Sequence, residues 1–243
     1  MKNKRKKNKT IRIIISLICL VIVIVSSYKI INWYQDTSKS KEIKEETNKY
    51  VEKKDTEYKI DFKELQKKNS DTVAYLKVNN TNINYVVVKG TDNDYYLHHD
   101  FKKNNNITGW VFATYQNKMD GTDKNIVIFG HNMRDGSMFG TMKKVLNKKW
   151  YNNKKNLTIE LATKTGTYKY KVFSIYQIEP EDYYINTDFY SNVEYEIFLK
   201  AIKKRSIKDF KMDINKNDKI LTLSTCSMTG TERVVLHAKR VEK

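Results

Sequence analysis

Proline and glycine are scarce in this chain, which holds one proline and eight glycines in 243 residues. A collagen-like repeat or a Pro-rich linker needs both at high density, so neither is present. Cysteine is nearly missing as well: Cys19 and Cys226 are the two, too few for the disulfide framework of a small secreted fold. Cys19 lies inside an apolar run, and a bridge to it would tie that run to the globular part, so Cys226 is read as a free thiol. Neither paired cysteines nor a His-x-x-x-His spacing occurs, so no metal site and no cofactor are expected. Acidic residues are the minority charge, 28 against 46 Lys and Arg, for a formal net charge of +18. No nucleic-acid-binding motif accompanies that excess, so nucleic acid is not the expected partner.

What is present is a core and a strongly marked N-terminus. Hydrophobic residues make up 40% of the chain and aromatics 12%, enough to fold and to exclude global disorder. Seven basic residues (Lys2, Lys4, Arg5, Lys6, Lys7, Lys9 and Arg12) occupy the first twelve positions, with no acid among them. The remaining basic excess is spread along the chain, a lysine-rich solvated surface that also suits an anionic lipid or an acidic cell wall. Ile13 to Val25 is apolar except for Ser16, and Tyr28, Ile30 and Ile31 bring the run near the roughly 20 residues a bilayer requires. Lys29 can snorkel, and Trp33 and Tyr34 suit the interface.

The basic flank predicts a cytoplasmic N-terminus and an external C-terminus. A cleavable signal peptide is the rival reading, but no Ala-x-Ala-like site follows the run; Val25-Ser26-Ser27 is a weak substitute. The expected organisation is a basic cytoplasmic segment over 1–12, a single-pass membrane anchor over 13–33, a polar stalk over 34–56 and an extracellular folded domain over 57–243. Glu and Lys mixed at helical spacing give the stalk reading. Ile60, Phe62 and Leu65 then suggest an amphipathic helical turn within Tyr58 to Lys67.

Beyond Thr72 the pattern becomes largely β. Val73 to Val78 and Ile83 to Val88 are bounded by Asn-Asn and Gly-Thr-Asp turn signals. Further candidate strands are 109–113, 125–129, 157–162, 168–175, 220–226 and 233–240, with helices around 138–146 and 193–205. Short strands and few helices favour a barrel or a sandwich.

Ile220 to Cys226 carries the most chemistry. At period two, Thr222, Ser224 and Cys226 share one face, and Leu221, Leu223 and Thr225 share the other. A free thiol near its usual pKa of about 8.5 is mostly protonated at neutral pH and needs help to become a nucleophile. If the loop Ser227 to Glu232 closes a hairpin, Arg233 returns beside Cys226, where a guanidinium can stabilise a thiolate or an oxyanion. A cysteine nucleophile also calls for an imidazole. His131 leaves the strand 125–129 through Gly130 into a loop, which suits a site residue. His98 and His99 read as surface or packing residues, and His237 as a histidine satisfied within the sheet. A buried structural cysteine with a surface arginine stays open on the strand pattern alone.

Thr222-Leu-Ser-Thr-Cys226 resembles the TLxTC signature of sortases, followed seven residues later by Arg233. Gly130-His131-Asn132-Met133 resembles that family's catalytic-histidine segment. Asn93-Asp-Tyr-Tyr-Leu97, the following His-His-Asp-Phe101 and Asp135-Gly-Ser-Met-Phe139 are similar to class B members. The resemblance runs from about Asp61 to the C-terminus. It implies a mainly β fold: a closed eight-stranded β-barrel with an N-terminal helical element and a helix inserted between strands 6 and 7, within Gln177 to Asn217.

The resemblance also implies a cysteine transpeptidase with a Cys226, His131 and Arg233 site. Cys226 attacks a threonine carbonyl in a sorting signal of Asn-Pro-x-Thr type, and His131 protonates the leaving amine. A peptidoglycan precursor amine then resolves the thioacyl enzyme, anchoring a surface protein to the wall. By the same resemblance Asn93, Leu97, Phe129, Tyr184, Ile185 and Ser224 line the peptide groove. Phe129 stands where class B members often carry tyrosine, so a hydroxyl contact is lost there. A pilin-polymerising sortase, a membrane-tethered thiol hydrolase and a non-enzymatic basic wall- or lipid-binding module are the rival readings. The acidic segment Glu179-Pro-Glu181-Asp182 is read as a solvated loop rather than a cation site.

Overall fold

The computed structural model describes the backbone of residues 2–55, 57–226 and 232–242, and side chains over 11–55, 57–226 and 232–241. The lysines of the basic run up to Lys9 and the loop residues 227–231 lie outside the described side chains. Two compact units result, Met1–Lys39 and Ser40–Lys243. Helix α1, Lys2–Asn48, is divided between them. In the first unit the apolar run stands bare: Ile13, Leu17, Val21 and Ile24 are each more than half exposed. By length and composition this helix is able to cross a membrane.

The second unit starts earlier than the stalk reading places it. Ser40, Ile43 and Thr47 are buried, three positions at i, i+3 and i+7 on one helix face. Ser40 Oγ lies 2.6 Å from Thr108 Oγ1, and Lys44 Nζ donates to the Asn82 carbonyl at 2.8 Å. The polar composition hid this stripe because only Ile43 in it is apolar. Val51–Lys54 (β1) and Glu57–Ile60 (β2) then form a two-stranded antiparallel sheet. Helix α2, Phe62–Lys68, begins where the Asp61 carboxylate accepts from the Glu64 N–H at 3.0 Å.

Eight strands close the barrel: β3 (Thr72–Val78), β4 (Asn84–Val88), β5 (Phe112–Ala113), β6 (Asn125–His131), β7 (Thr158–Thr163), β8 (Gly166–Ile178), β9 (Ile220–Cys226) and β10 (Arg233–Glu242). Around the barrel the order is β10-β8-β7-β3-β4-β5-β6-β9. The β4–β5 and β6–β9 pairs are parallel, and the remaining pairs are antiparallel. The expected mainly β, closed eight-stranded architecture is therefore present. Short helices α3 (Tyr95–His98) and α4 (Lys148–Tyr151) lie in the connections.

The inserted helix, α5, spans Asn192–Lys204 between β8 and β9, the sixth and seventh barrel strands. Ser191 caps it by accepting from the Glu194 N–H at 3.1 Å. Tyr195, Phe198, Leu199 and Ile202 form an apolar stripe at helical spacing. They pack with Tyr176, Tyr184, Ile220 and Val235. That cover explains why β9, unlike a half-exposed strand, is buried on both faces from Ile220 to Thr225.

Candidate active site

Strands β6 and β9 run parallel with Phe129 opposite Ser224 and His131 opposite Cys226. Paired positions of a sheet share a face, so the histidine and the cysteine emerge side by side at the two strand ends. The backbone continues the seam past the strands: the Asn132 N–H donates to the Cys226 carbonyl at 3.1 Å. Gly130 is required just before the histidine, because a Cβ there would stand 2.8 Å from the Phe139 ring. Phe139 in turn donates its N–H to the His131 carbonyl at 2.9 Å. The turn that follows β6 is thus folded back against the residue it presents.

His131 is buried, and its Nε2 lies 2.8 Å from the Leu97 carbonyl oxygen. A carbonyl only accepts, so Nε2 carries the proton and, in the neutral ring, Nδ1 holds the lone pair. Nδ1 is buried without a hydrogen-bond partner among the described residues. Burial lowers the pKa of His131, partly opposed by the Leu97 and Cys226 backbone, while the charge of His98 lowers it further. The imidazole is therefore neutral at pH 7, with one nitrogen fixed and the other free to accept a proton.

Cys226 is partly exposed as a residue, yet burial of its thiol pushes the pKa up to about 11, with the Arg233 guanidinium pulling against it. Burial of both groups thus favours their neutral forms, thiol and imidazole. Arg233 arrives from the neighbouring strand. β10 runs antiparallel to β9 with Val235 opposite Ser224, so Arg233, two residues earlier, stands at the level of Cys226. Its Nη1 donates to the Tyr184 hydroxyl at 3.2 Å.

The expected groove residues divide by exposure. Tyr184 and Ser224 are fully buried, and their hydroxyls meet at 3.0 Å. Phe129 is buried, with its ring centroid 5.4 Å from that of Phe112. Asn93, Leu97 and Ile185 keep part of their surface. Asn93 Oδ1 accepts from the Tyr115 N–H at 3.2 Å, and Ile185 packs at the edge of the α5 cluster. Two features escaped sequence reasoning: the backbone carbonyl of Leu97 as the partner of His131, and the Tyr184 hydroxyl as the partner of Arg233. Resemblance singles out Leu97 and Tyr184, but nothing in a side-chain pattern marks a carbonyl.

The other histidines are engaged elsewhere. His237 is fully buried between Thr222 Oγ1 and the Tyr176 hydroxyl, each at 2.8 Å. His99 stacks on Tyr95 with centroids 3.9 Å apart, and His98 is exposed. In the acidic segment, Glu181 pairs with Arg205 at 3.2 Å.

Comparison with known proteins places this geometry. The sortase domain family model matches residues 76–241. Sortase B of Staphylococcus aureus is 30% identical over 236 residues, covering 94% of this chain and 96% of that protein. The crystal structure of sortase B from Bacillus anthracis in complex with AAEK1 superposes with a TM-score of 0.77 at 32% identity, covering 86% of this chain and all of that one. A crystal structure of sortase B complexed with triglycine gives a TM-score of 0.70 at 33% identity, covering 74% of this chain and 85% of that one.

Proposed function

Because this chain belongs to the sortase family, class B, and is a transpeptidase at the level of that family, we propose that it cuts an Asn-Pro-x-Thr-like sorting signal after threonine through a thioacyl intermediate on Cys226. The acyl group then passes to a peptidoglycan amine. The observation that carries this reading is the parallel register of β6 and β9, which sets His131 beside Cys226. The apolar helix of the first unit serves as a single-pass anchor, with the basic end in the cytoplasm and the catalytic domain outside.

The steps follow from the resting protonation states. As a substrate carbonyl approaches, the Cys226 thiol gives its proton to Nδ1 of His131, and sulfur bonds to the carbonyl carbon. The oxyanion that develops is met by the Arg233 guanidinium. Collapse breaks the C–N bond, and His131 returns the proton to the leaving amine. An incoming amine attacks the thioester and passes a proton to His131; the C–S bond breaks, and His131 returns that proton to the Cys226 sulfur. The Leu97 carbonyl holds the same ring nitrogen throughout, so a single nitrogen handles every proton.

The triglycine complex of a related sortase B suggests oligoglycine as a probe for the acceptor side. The test is a product assay of the purified catalytic unit with Asn-Pro-x-Thr peptides, with and without triglycine or a diamino-acid amine. Ligated peptide that forms only with amine is the expected result. Hydrolysed peptide alone, unaffected by any amine, identifies a thiol hydrolase instead. A lysine of a pilin as the sole acceptor identifies the polymerising variant.

A further inference from the structure

Tyr184 is fully buried in the 3₁₀ turn Tyr183–Ile185, under the cover that precedes α5. The resemblance makes it a groove residue. Its hydroxyl lies between two groups of the site: Ser224 Oγ at 3.0 Å and Arg233 Nη1 at 3.2 Å. A guanidinium can only donate, so the tyrosine oxygen accepts from Arg233, and its own proton is left for Ser224. Ser224 belongs to the same strand face as Cys226, two residues away, and is itself buried.

The position of that oxygen is over-determined. The Tyr184 ring sits edge-on to Tyr176 and Tyr183, with centroids 6.4 and 5.7 Å away. Tyr176 is bonded in turn to His237. An arginine at a strand end, next to loop residues, has several rotatable bonds to order; a fixed acceptor removes that freedom.

We infer that Tyr184 is a positioning residue: held by Ser224 and the aromatic cluster, its hydroxyl fixes the Arg233 guanidinium at the level of Cys226. This rests on the proposed function only for what Arg233 does once placed. The charged and titratable groups that bear on the Arg233 end of the site, among the described residues, are Cys226 on β9, His131 on β6, and Asp182 and Tyr184 on the turn. Arg233 is the cation that opposes the burial of the Cys226 thiol, so its placement is readable without any substrate.

The experiment compares Tyr184→Phe, Ser224→Ala, Arg233→Ala and the Tyr184→Phe/Arg233→Ala double variant by iodoacetamide alkylation of Cys226 from pH 7 to 9, and by steady-state ligation. Tyr184→Phe keeps the ring and removes one oxygen, so folding, checked by near-ultraviolet circular dichroism, is retained. It slows alkylation about threefold at each pH, equivalent to half a pH unit, and lowers kcat about tenfold with KM nearly unchanged. Ser224→Ala shifts both in the same direction by less. In the Arg233→Ala background Tyr184→Phe adds nothing.

A rise in KM with alkylation unchanged would return Tyr184 to the groove and overturn the inference. Equal fold-losses in the presence and absence of Arg233 would do the same, because the tyrosine then acts by another route. If wild-type enzyme ligates no peptide, the proposed function fails while the alkylation comparison still decides the role of Tyr184.

Discussion

At the level of Thr222 the covered face of the barrel carries His237, and at the level of Cys226, four residue pairs further along, it carries His131. The two imidazoles are both buried, yet they are treated differently. Thr222 and Tyr176 occupy both nitrogens of His237, and burial lowers its pKa to about 3. His131 is bonded through Nε2 alone, with Nδ1 left unpartnered among the described residues. An orphaned buried nitrogen costs stability, on the order of 1–3 kcal/mol. The closed level thus acts as structure, and the open level keeps an uncommitted nitrogen at the end of the seam where a reacting group can enter.

The largest effects fall on the open level. Cys226→Ala should lower ligation at least about 10³-fold, with circular dichroism and the melting temperature nearly unchanged. Product formation above that level would move the nucleophile elsewhere. His131→Asn, measured as kcat, should cost about 10²- to 10⁴-fold, the usual range for losing a general acid–base group. A loss confined to stability would erase the contrast between the two histidines.

The closed level should respond in the opposite sense. His237→Phe removes one partner each from the Tyr176 and Thr222 hydroxyls, which keep Tyr183 and Asn125, and should cost roughly 1–3 kcal/mol in urea unfolding, with kcat changed less than about twofold. The pH dependence sharpens the same point. With a folded pKa near 3 and an unfolded value near 6.5, the unfolded state binds the extra proton between those limits. Stability contributed by neutral His237 is therefore complete above about pH 6.5 and is lost as pH falls, by about 1.4 kcal/mol per pH unit. Urea unfolding between pH 6.5 and 4.5 should show stability falling more steeply in wild type than in His237→Phe, which keeps the contribution of His131.

The smallest effect concerns how the open level is held. Gly109 has φ +55°, and a Cβ there would lie 2.5 Å from the Tyr96 carbonyl and 2.7 Å from that of Leu97. Gly109→Ala should cost about 1–2 kcal/mol for the left-handed backbone, and it should reduce kcat a few-fold by displacing the carbonyl that orients His131. Full activity with reduced stability would separate Leu97 from the mechanism.

Much of this fold is legible in the sequence because apolar alternation and turn residues mark strands directly. The segments around 73–78, 157–162, 168–175 and 233–240 agree with β3, β7, β8 and β10 within a few residues at their ends. β5 is only two residues long, Phe112–Ala113, and no periodicity can define so short a strand. The stripe Ser40, Ile43 and Thr47 is hidden by polarity, since hydroxyl residues satisfied by neighbours bury without an apolar signature. At the site, the TLxTC-like strand and Gly130-His131 draw attention to Cys226 and His131 one by one. Their adjacency depends on a parallel pairing between strands far apart in the chain, which neither segment encodes alone. Arg233 is foreseeable through a β9–β10 hairpin, whereas the acceptor that holds it requires three-dimensional contacts.

The most direct measurement is intact mass spectrometry of the enzyme trapped with an Asn-Pro-x-Thr peptide at neutral pH. The account predicts a mass gain equal to the peptide through threonine, mapped to Cys226, absent in Cys226→Ala and discharged by triglycine. No adduct on a wild-type Cys226 that iodoacetamide still alkylates, across the panel of sorting peptides, would contradict it.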